Sequence, residues 1–528
     1  MYEICKSITW KANKDATVAI IIDASDVVLD FEHNRLAMST CTNTSDNIGV
    51  VVAPGRSNVL IKDGVISDLS LLGIRVSEGC DNITIQNFKV ERCGGNGEGD
   101  TNPLNSLPTS GGIDIRGTFL SPCNHILVNN VEAIFNTSQV SCTGLRAAFT
   151  DEITIQNSRF DNNQGVLDAT GILLDKCTQI QVTNCTHNEN QGTDATQSSA
   201  EGLTLEDVND IHISDCTFNK NRGAGSVRGL FSGGTPFSFE TKNFLIENCI
   251  STGNDSFGQQ PGQVFSYVIF TTVGITIKNC IAEDNILRSP TSGNIGGYLL
   301  IDCRKGLVEN CQSFNQRGDN AGFNFGFGIV SFLPLADQRQ SDSMVVRNCL
   351  ASGNRIVAAG GRFAIGFGTA FFQRVNGLIF ENCIAEDITQ TSNFGFGFFM
   401  DADPNSAILN CISRGNNVGI QLNPSFAGAT PPNFCIVEGN TVYNNSVVGF
   451  RDLVANSRNV YKKNQGYNNG PAGATNYVGT IFPPSTCPPT PGTLGTPMRL
   501  WQVPNAPCSV NNNGIIDPND NMDMRPLP

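Results

Sequence analysis

The chain has 528 residues, a formal charge of −14 and only 16% charged residues, with a pI near 4.8. That balance disfavours nucleic acid and anionic membrane surfaces as partners, and it suits a strongly anionic polymer only where calcium or a local basic patch intervenes. No run of 18 or more apolar residues occurs, so no membrane span is expected.

Residues 1–40 read as an N-terminal cap with the first strands, because a solenoid must cover its open end. Residues 41–469 read as the body of the solenoid, and from Gly171 to Cys411 they repeat one phrase: an apolar alternation, Asn-Cys, a small residue, then an Asn/Gly turn. It reads Ile180-Gln-Val182-Thr-Asn184-Cys185, and recurs at Ile275-Thr-Ile277-Lys-Asn279-Cys280 and Phe380-Glu-Asn382-Cys383. Between Cys185 and Cys411 successive cysteines are 31, 33, 31, 31, 38, 34 and 28 residues apart. A period of that size marks a solenoid whose repeats bury their apolar faces only by stacking. Apolar residues at every second position predict strands. Asn before each Cys suits a left-handed bend and, stacked, an internal amide ladder. Cys then opens a second, inward-facing strand. A third strand starts with Gly, as in Gly112-Ile-Asp-Ile, Gly144-Leu-Arg-Ala, Gly171-Ile-Leu-Leu and Gly202-Leu-Thr-Leu. Three short strands per turn over about 14 turns predict an all-β, right-handed parallel β-helix roughly 65–70 Å long. The loop over residues 94–112 is long enough for a lateral flap. Residues 470–528 are rich in Pro and Gly and should lie back on the body or stay disordered, anchored by Leu500-Trp501. Within them Asp517, Asp520 and Asp523 have calcium-like spacing without the Gly and Glu of a full loop.

Gly-h-x-h, a turn and Asn-h-x-h-x-Asn-Cys resemble the repeats of the pectin-lyase-like superfamily, as does the opening Ala19-Ile-Ile-Ile-Asp-Ala-Ser-Asp-Val-Val-Leu-Asp30. The resemblance covers roughly residues 15–465. It implies a fold and leaves activity open, since the superfamily holds lyases, hydrolases, epimerases, phage tailspikes and silent scaffolds. Tyr2-Glu-Ile-Cys-Lys-Ser-Ile-Thr9 resembles the family's lead-in strand entered partway. No signal peptide is visible, and an upstream segment carrying one is as good a reading as none. The family's activities imply no single signature here: the Asp-Asp and Gly-His-Gly of polygalacturonases, the Asp-His and Arg-x-Pro-x-x-Arg of pectate lyases and the Tyr-Gly-Phe-Asp-Pro-His of alginate epimerases are all missing from the sequence.

There are 19 cysteines. Those of the repeat should be free thiols in the core, with Cys487 and Cys508 as the better candidates for a bridge. No Cys/His spacing suggests zinc. The histidines (His33, His125, His187, His212) are scattered, with His187 at a core position, His212 on an exposed strand and no partner evident for either. Asn82, Asn136 and Asn254 sit in Asn-x-Ser/Thr matches that such an Asn-rich repeat produces by chance.

Aligning the Gly-led strands sets Arg75, Asp114, Arg146, Leu173 and Thr204 in one outward column and Arg116, Ala148, Asp175 and Glu206 in another. Asp175 and Glu206 should lie on adjacent turns, where two carboxylates raise one another's proton affinity or share a cation such as calcium. Asp175, Glu206 and Asp114 are the candidate catalytic groups, and Arg75, Arg116 and Arg146 the candidate substrate-binding groups for a uronate. The competing reading is a salt-bridged outer face. Two residues before successive cysteines stand Glu247, Lys278, Glu309, Arg347 and Glu381, whose alternating sign favours correct stacking. Beside them run Leu245, Thr276, Leu307, Val345 and Ile379, an apolar stripe that needs a cover, either the C-terminal tail or a second chain. Phe323-Asn-Phe325-Gly-Phe327-Gly and its echoes at Phe363 and Phe394 read as a stacked aromatic core, or as a bare Gly face for a flat ligand.

Two functions compete. One is a non-enzymatic surface or adhesive β-helix on a cell or virion, contacting a polysaccharide or another protein chain, with the stripe as the contact for a homo-oligomer. The other is a polysaccharide lyase or glycoside hydrolase acting at Asp175 and Glu206.

Overall fold

Each repeat begins with a strand whose alternate side chains turn inward, and stacking those strands builds the core. The computed structural model describes residues 1–11, 17–38, 46–95, 110–233, 240–258, 261–288, 293–331, 341–357, 363–369, 375–392, 394–401, 403–423, 434–453, 459–471, 476–479, 499–500 and 521–523. They contain strands, turns and no α-helix, wound into about 13 turns of parallel β-solenoid. The chain falls into two compact units, residues 1–268 with 287–291, and residues 269–286 with 292–528.

In the first unit one inward column, three before the cysteine in the turns that have one, runs Val128, Ile155, Val182, Ile213 and Ile246, in parallel register and fully buried. In the second it runs Ile277, Val308, Val346, Phe380, Ile408 and Val437. Burying each such side chain stabilises the stack by about 1.5–3 kcal/mol, an upper figure because the unfolded chain is not fully extended. The column thiols are buried and free, with Cys5 the exposed exception. Burial pushes Cys177 and Cys303 up to about 12, so both stay protonated as apolar groups. Cys487 and Cys508 lie outside the described residues.

The Asn before each cysteine takes the left-handed bend, with φ of 53° at Asn184 and 54° at Asn310. These side chains do pair amide to amide, Asn184 with Asn157 at 2.9 Å and Asn310 with Asn279 at 3.3 Å, but on the exposed face and not inside. The buried ladder lies five residues after the cysteine instead. There, and at the matching positions of the turns before Cys185, Asn136, Asn163, Asn190 and Asn221 each donate from Nδ2 to the Oδ1 of the next, ending on Asn254, at 3.0, 3.1, 3.2 and 3.2 Å. Asn136 and Asn254 are therefore sealed in the core and closed to glycosylation, which favours chance as the origin of their motifs. Several turns add a further two-residue ladder, such as Gln164–Gly165 beside Gln191–Gly192.

The second unit holds the aromatic core. Tyr298, Phe327, Phe367 and Phe398 stack with centroids 4.6, 4.8 and 5.0 Å apart. The glycine face is not bare: a Cβ on Gly326 would lie 2.5 Å from the Gly366 carbonyl of the next turn. Glycine is there to let neighbouring backbones close up, and no flat ligand fits that face. Of the tail, Asn521–Asp523 adds parallel to Gln465–Tyr467 and pairs antiparallel with Arg499–Leu500. These described pieces extend a sheet edge; they do not lie on the stripe. Trp501, Asp517 and Asp520 are outside the described residues, as is most of the 94–112 loop.

Candidate functional site

The outer face of the third-strand sheet in the first unit gathers the candidate residues. Asp114 lies in register with Arg75 on one side and Arg146 on the other. The column continues through Leu173, Thr204 and Phe231. Beside it Arg116, Ala148, Asp175, Glu206 and Gly233 are in register, so Asp175 and Glu206 are neighbours on adjacent turns.

The two ends of this face differ. Around Asp114 three guanidiniums close in, with Arg116 Nη2 at 2.9 Å, Arg75 Nε at 3.4 Å and Arg146 Nη1 at 3.8 Å. Asp114 is 0% exposed and Arg146 2%. A polymer cannot reach that carboxylate, and the arginines are already engaged with it. Two turns further on, a cleft of about 210 Å3 opens. Leu173, Thr204 and Phe231 are in its floor, and Ser141, Asp168, Ser199, Glu201, Glu206 and Arg228 in its walls.

Burial, then the charges of Asp175 and Glu201, push Glu206 up to about 7. Burial and Glu201 also raise Asp168. Both shifts follow from placing several carboxylates in one half-dry hollow. Glu201 is paired with Arg228 at 2.9 Å and accepts a hydrogen bond from the Thr204 hydroxyl. The Arg228 guanidinium stands 4.2 Å from the Phe231 ring centroid. Lys176 Nζ lies 2.8 Å from Asp175. Asp168, Glu201, Arg228 and Phe231 were missed in the sequence columns. Glu201 and Arg228 each precede the strand glycine, Asp168 stands three before it, and Phe231 is the plus-two column carried one turn further. Among the described residues, Glu3, Cys5 and Glu32 are the one set of three potential ligands whose atoms lie within 4.8 Å of one another. The cleft carboxylates are not part of that set.

A shallower hollow of about 600 Å3 lies on the first-strand sheet of the same unit, lined by His125, Glu152, Thr154, Gln181 and His212. His125 is bridged by Asp81 at 2.7 Å and Glu152 at 3.1 Å, which raises its pKa. His212 meets Glu247 at 2.9 Å, so it has the partner that was not evident from sequence. His187 is fully buried between Phe160 and Phe218, with centroids 5.7 and 5.2 Å away.

Residues 19–232 match the family of right-handed β-helix regions. The fold is a parallel β-helix, and over residues 19–232 it has the sequence pattern of the right-handed kind. No curated protein matches this β-helix by sequence. Among solved structures it is similar to the A-module of the mannuronan C-5 epimerase AlgE4 of Azotobacter vinelandii (15% identity, 66% of this chain and 90% of that one, TM-score 0.34). It is also similar to PfbA, a surface adhesin of Streptococcus pneumoniae (10% identity, 86% and 84%, TM-score 0.34). A third is tailspike gp49 of Acinetobacter baumannii bacteriophage Fri1, a capsular polysaccharide depolymerase (11% identity, 84% and 56%, TM-score 0.28). These likenesses are loose and carry nothing about what the β-helix does. No helix among its described residues is long and apolar enough to cross a membrane.

Proposed function

We propose that this β-helix is a glycan-contacting surface module of a cell or virion, and that the cleft at Glu206 and Phe231 holds a neutral sugar unit. The supporting observation is the cleft's composition: an apolar floor of Leu173 and Phe231 faces hydroxyl and carboxylate walls. A pyranose ring offers the matching pair of surfaces, an apolar face and a rim of hydroxyl donors. Asp168, Glu201 and Glu206 would repel a uronate, and Arg228, the cation that lines the cleft among the described residues, is already paired with Glu201. The hollow is smaller than the 300–1,000 Å3 of typical drug-sized sites, which suits one ring of a longer polymer. A second chain on the Leu307, Val345 and Ile379 column completes the reading of this module.

The test is a panel of immobilised neutral and uronate-containing polysaccharides. Neutral polymers should bind, and Phe231→Ala should weaken them about tenfold or more. Retention of uronates alone, or of nothing, would contradict the proposal. A second reading, turnover, is favoured by one observation, the raised Glu206 beside Asp175: such a group donates a proton near neutral pH. In that case Glu206→Gln binds the polymer but releases no product.

A further inference from the structure

We infer that two copies of this chain pair through the first-strand sheet of the second unit with their solenoid axes antiparallel. The inference rests on the reading of the Leu307 column as a contact for a second chain, and it fixes the orientation. Four turns carry the relevant face. Thr276, Leu307, Val345 and Ile379 are in register as one outward column, all half-buried. The adjoining outward column holds Lys278, Glu309, Arg347 and Glu381 on the same four turns.

The signs in that second column run plus, minus, plus, minus. A twofold axis in the plane of contact, parallel to the strands and midway between the Glu309 and Arg347 turns, reverses the order of turns but keeps each column opposite itself. Leu307 then faces Val345 and Thr276 faces Ile379. In the charged column Glu309 meets Arg347 and Lys278 meets Glu381, so every charge faces its opposite. Such self-complementarity is what an isologous interface requires. Pairing with the axes parallel and the turns in step instead sets Lys278 against Lys278 and Glu309 against Glu309, which like-charge repulsion opposes. Arg347 and Glu309 already touch at 2.6 Å within one chain, so the copies would meet as two linked ion pairs forming a four-charge network. Four turns span about 19 Å, a small face, so the dimer should be of micromolar affinity or weaker.

Sedimentation equilibrium of the full chain over a concentration series tests this. Wild type should dimerise. Glu309→Arg and Arg347→Glu should each weaken the dimer about tenfold or more. The double exchange Glu309→Arg with Arg347→Glu turns the column into plus, plus, minus, minus, which is again self-complementary about the same axis. It should recover the wild-type constant to within about threefold. The single variants remain folded, since so exposed a pair contributes only about 0–1 kcal/mol, and far-ultraviolet circular dichroism checks it. A wild-type monomer at every concentration would overturn both the contact and its orientation. A dimer indifferent to both single reversals, or one lost in them and not recovered in the exchange, would overturn the antiparallel orientation alone.

Discussion

Glu206 stands one turn from Asp175 in the same outward column, and Lys176 lies 2.8 Å from Asp175 while Glu206 is pushed up to about 7 by burial and its acidic neighbours. An acid raised in the folded state binds its proton more tightly there than in the unfolded chain. Stability therefore falls as pH rises from the ordinary value of 4.5 to about 7, and the loss is complete above that. Glu206→Gln removes this contribution. Thermal melts should show the variant equal to wild type near pH 4 and more stable at pH 8. A smaller slope of the same sign should persist in the variant, because Asp168 is shifted in the same direction.

The buried amide ladder should be the most sensitive part of the first unit. Asn190 Oδ1 accepts from both the backbone N–H and Nδ2 of Asn163 at 3.1 Å, and its own Nδ2 donates to Asn221. Asn190→Ala strands the Asn163 backbone N–H and takes one bond each from Asn163 Nδ2 and Asn221 Oδ1, which keep the Ala133 carbonyl and the residue-190 backbone N–H, at a cost of about 2–4 kcal/mol. The urea midpoint reads this directly. A midpoint unmoved by the substitution would show that the ladder is not holding the turns together.

His187 gives the opposite expectation. Its ring is stacked between two phenylalanines, and the polar group it meets is the thiol of Cys216. A buried imidazole satisfied only by a weakly bonding thiol is still a cost. His187→Phe should continue the aromatic stack and raise stability by about 1–2 kcal/mol, seen as a higher melting temperature.

The winding was legible because it follows from a two-residue alternation and a fixed repeat. With the cysteines marking successive turns, the neighbours Asp175 and Glu206, or Leu307 and Val345, follow by counting. The position of the amide ladder was not legible, since the Asn before each cysteine and the Asn five after it recur with the same period. Only the backbone turn decides which one points inward. The state of Asp114 was also hidden. Counting puts it beside three arginines, but how far those side chains close over it depends on packing that no periodicity records. Phe231 and Arg228 escaped for a simpler reason: their strand's glycine sits at residue 229, after a turn of unequal length.

The central claim is that the cleft at Glu206 and Phe231 holds a neutral sugar, and isothermal titration measures it most directly. A neutral oligosaccharide taken from the best-bound polymer should bind wild type, with about tenfold or greater weakening in Phe231→Ala. The same ligand should bind Arg116→Ala, altered at the sealed arginine cluster, as tightly as wild type. Equal affinity for wild type and Phe231→Ala, or loss confined to Arg116→Ala, would contradict the account.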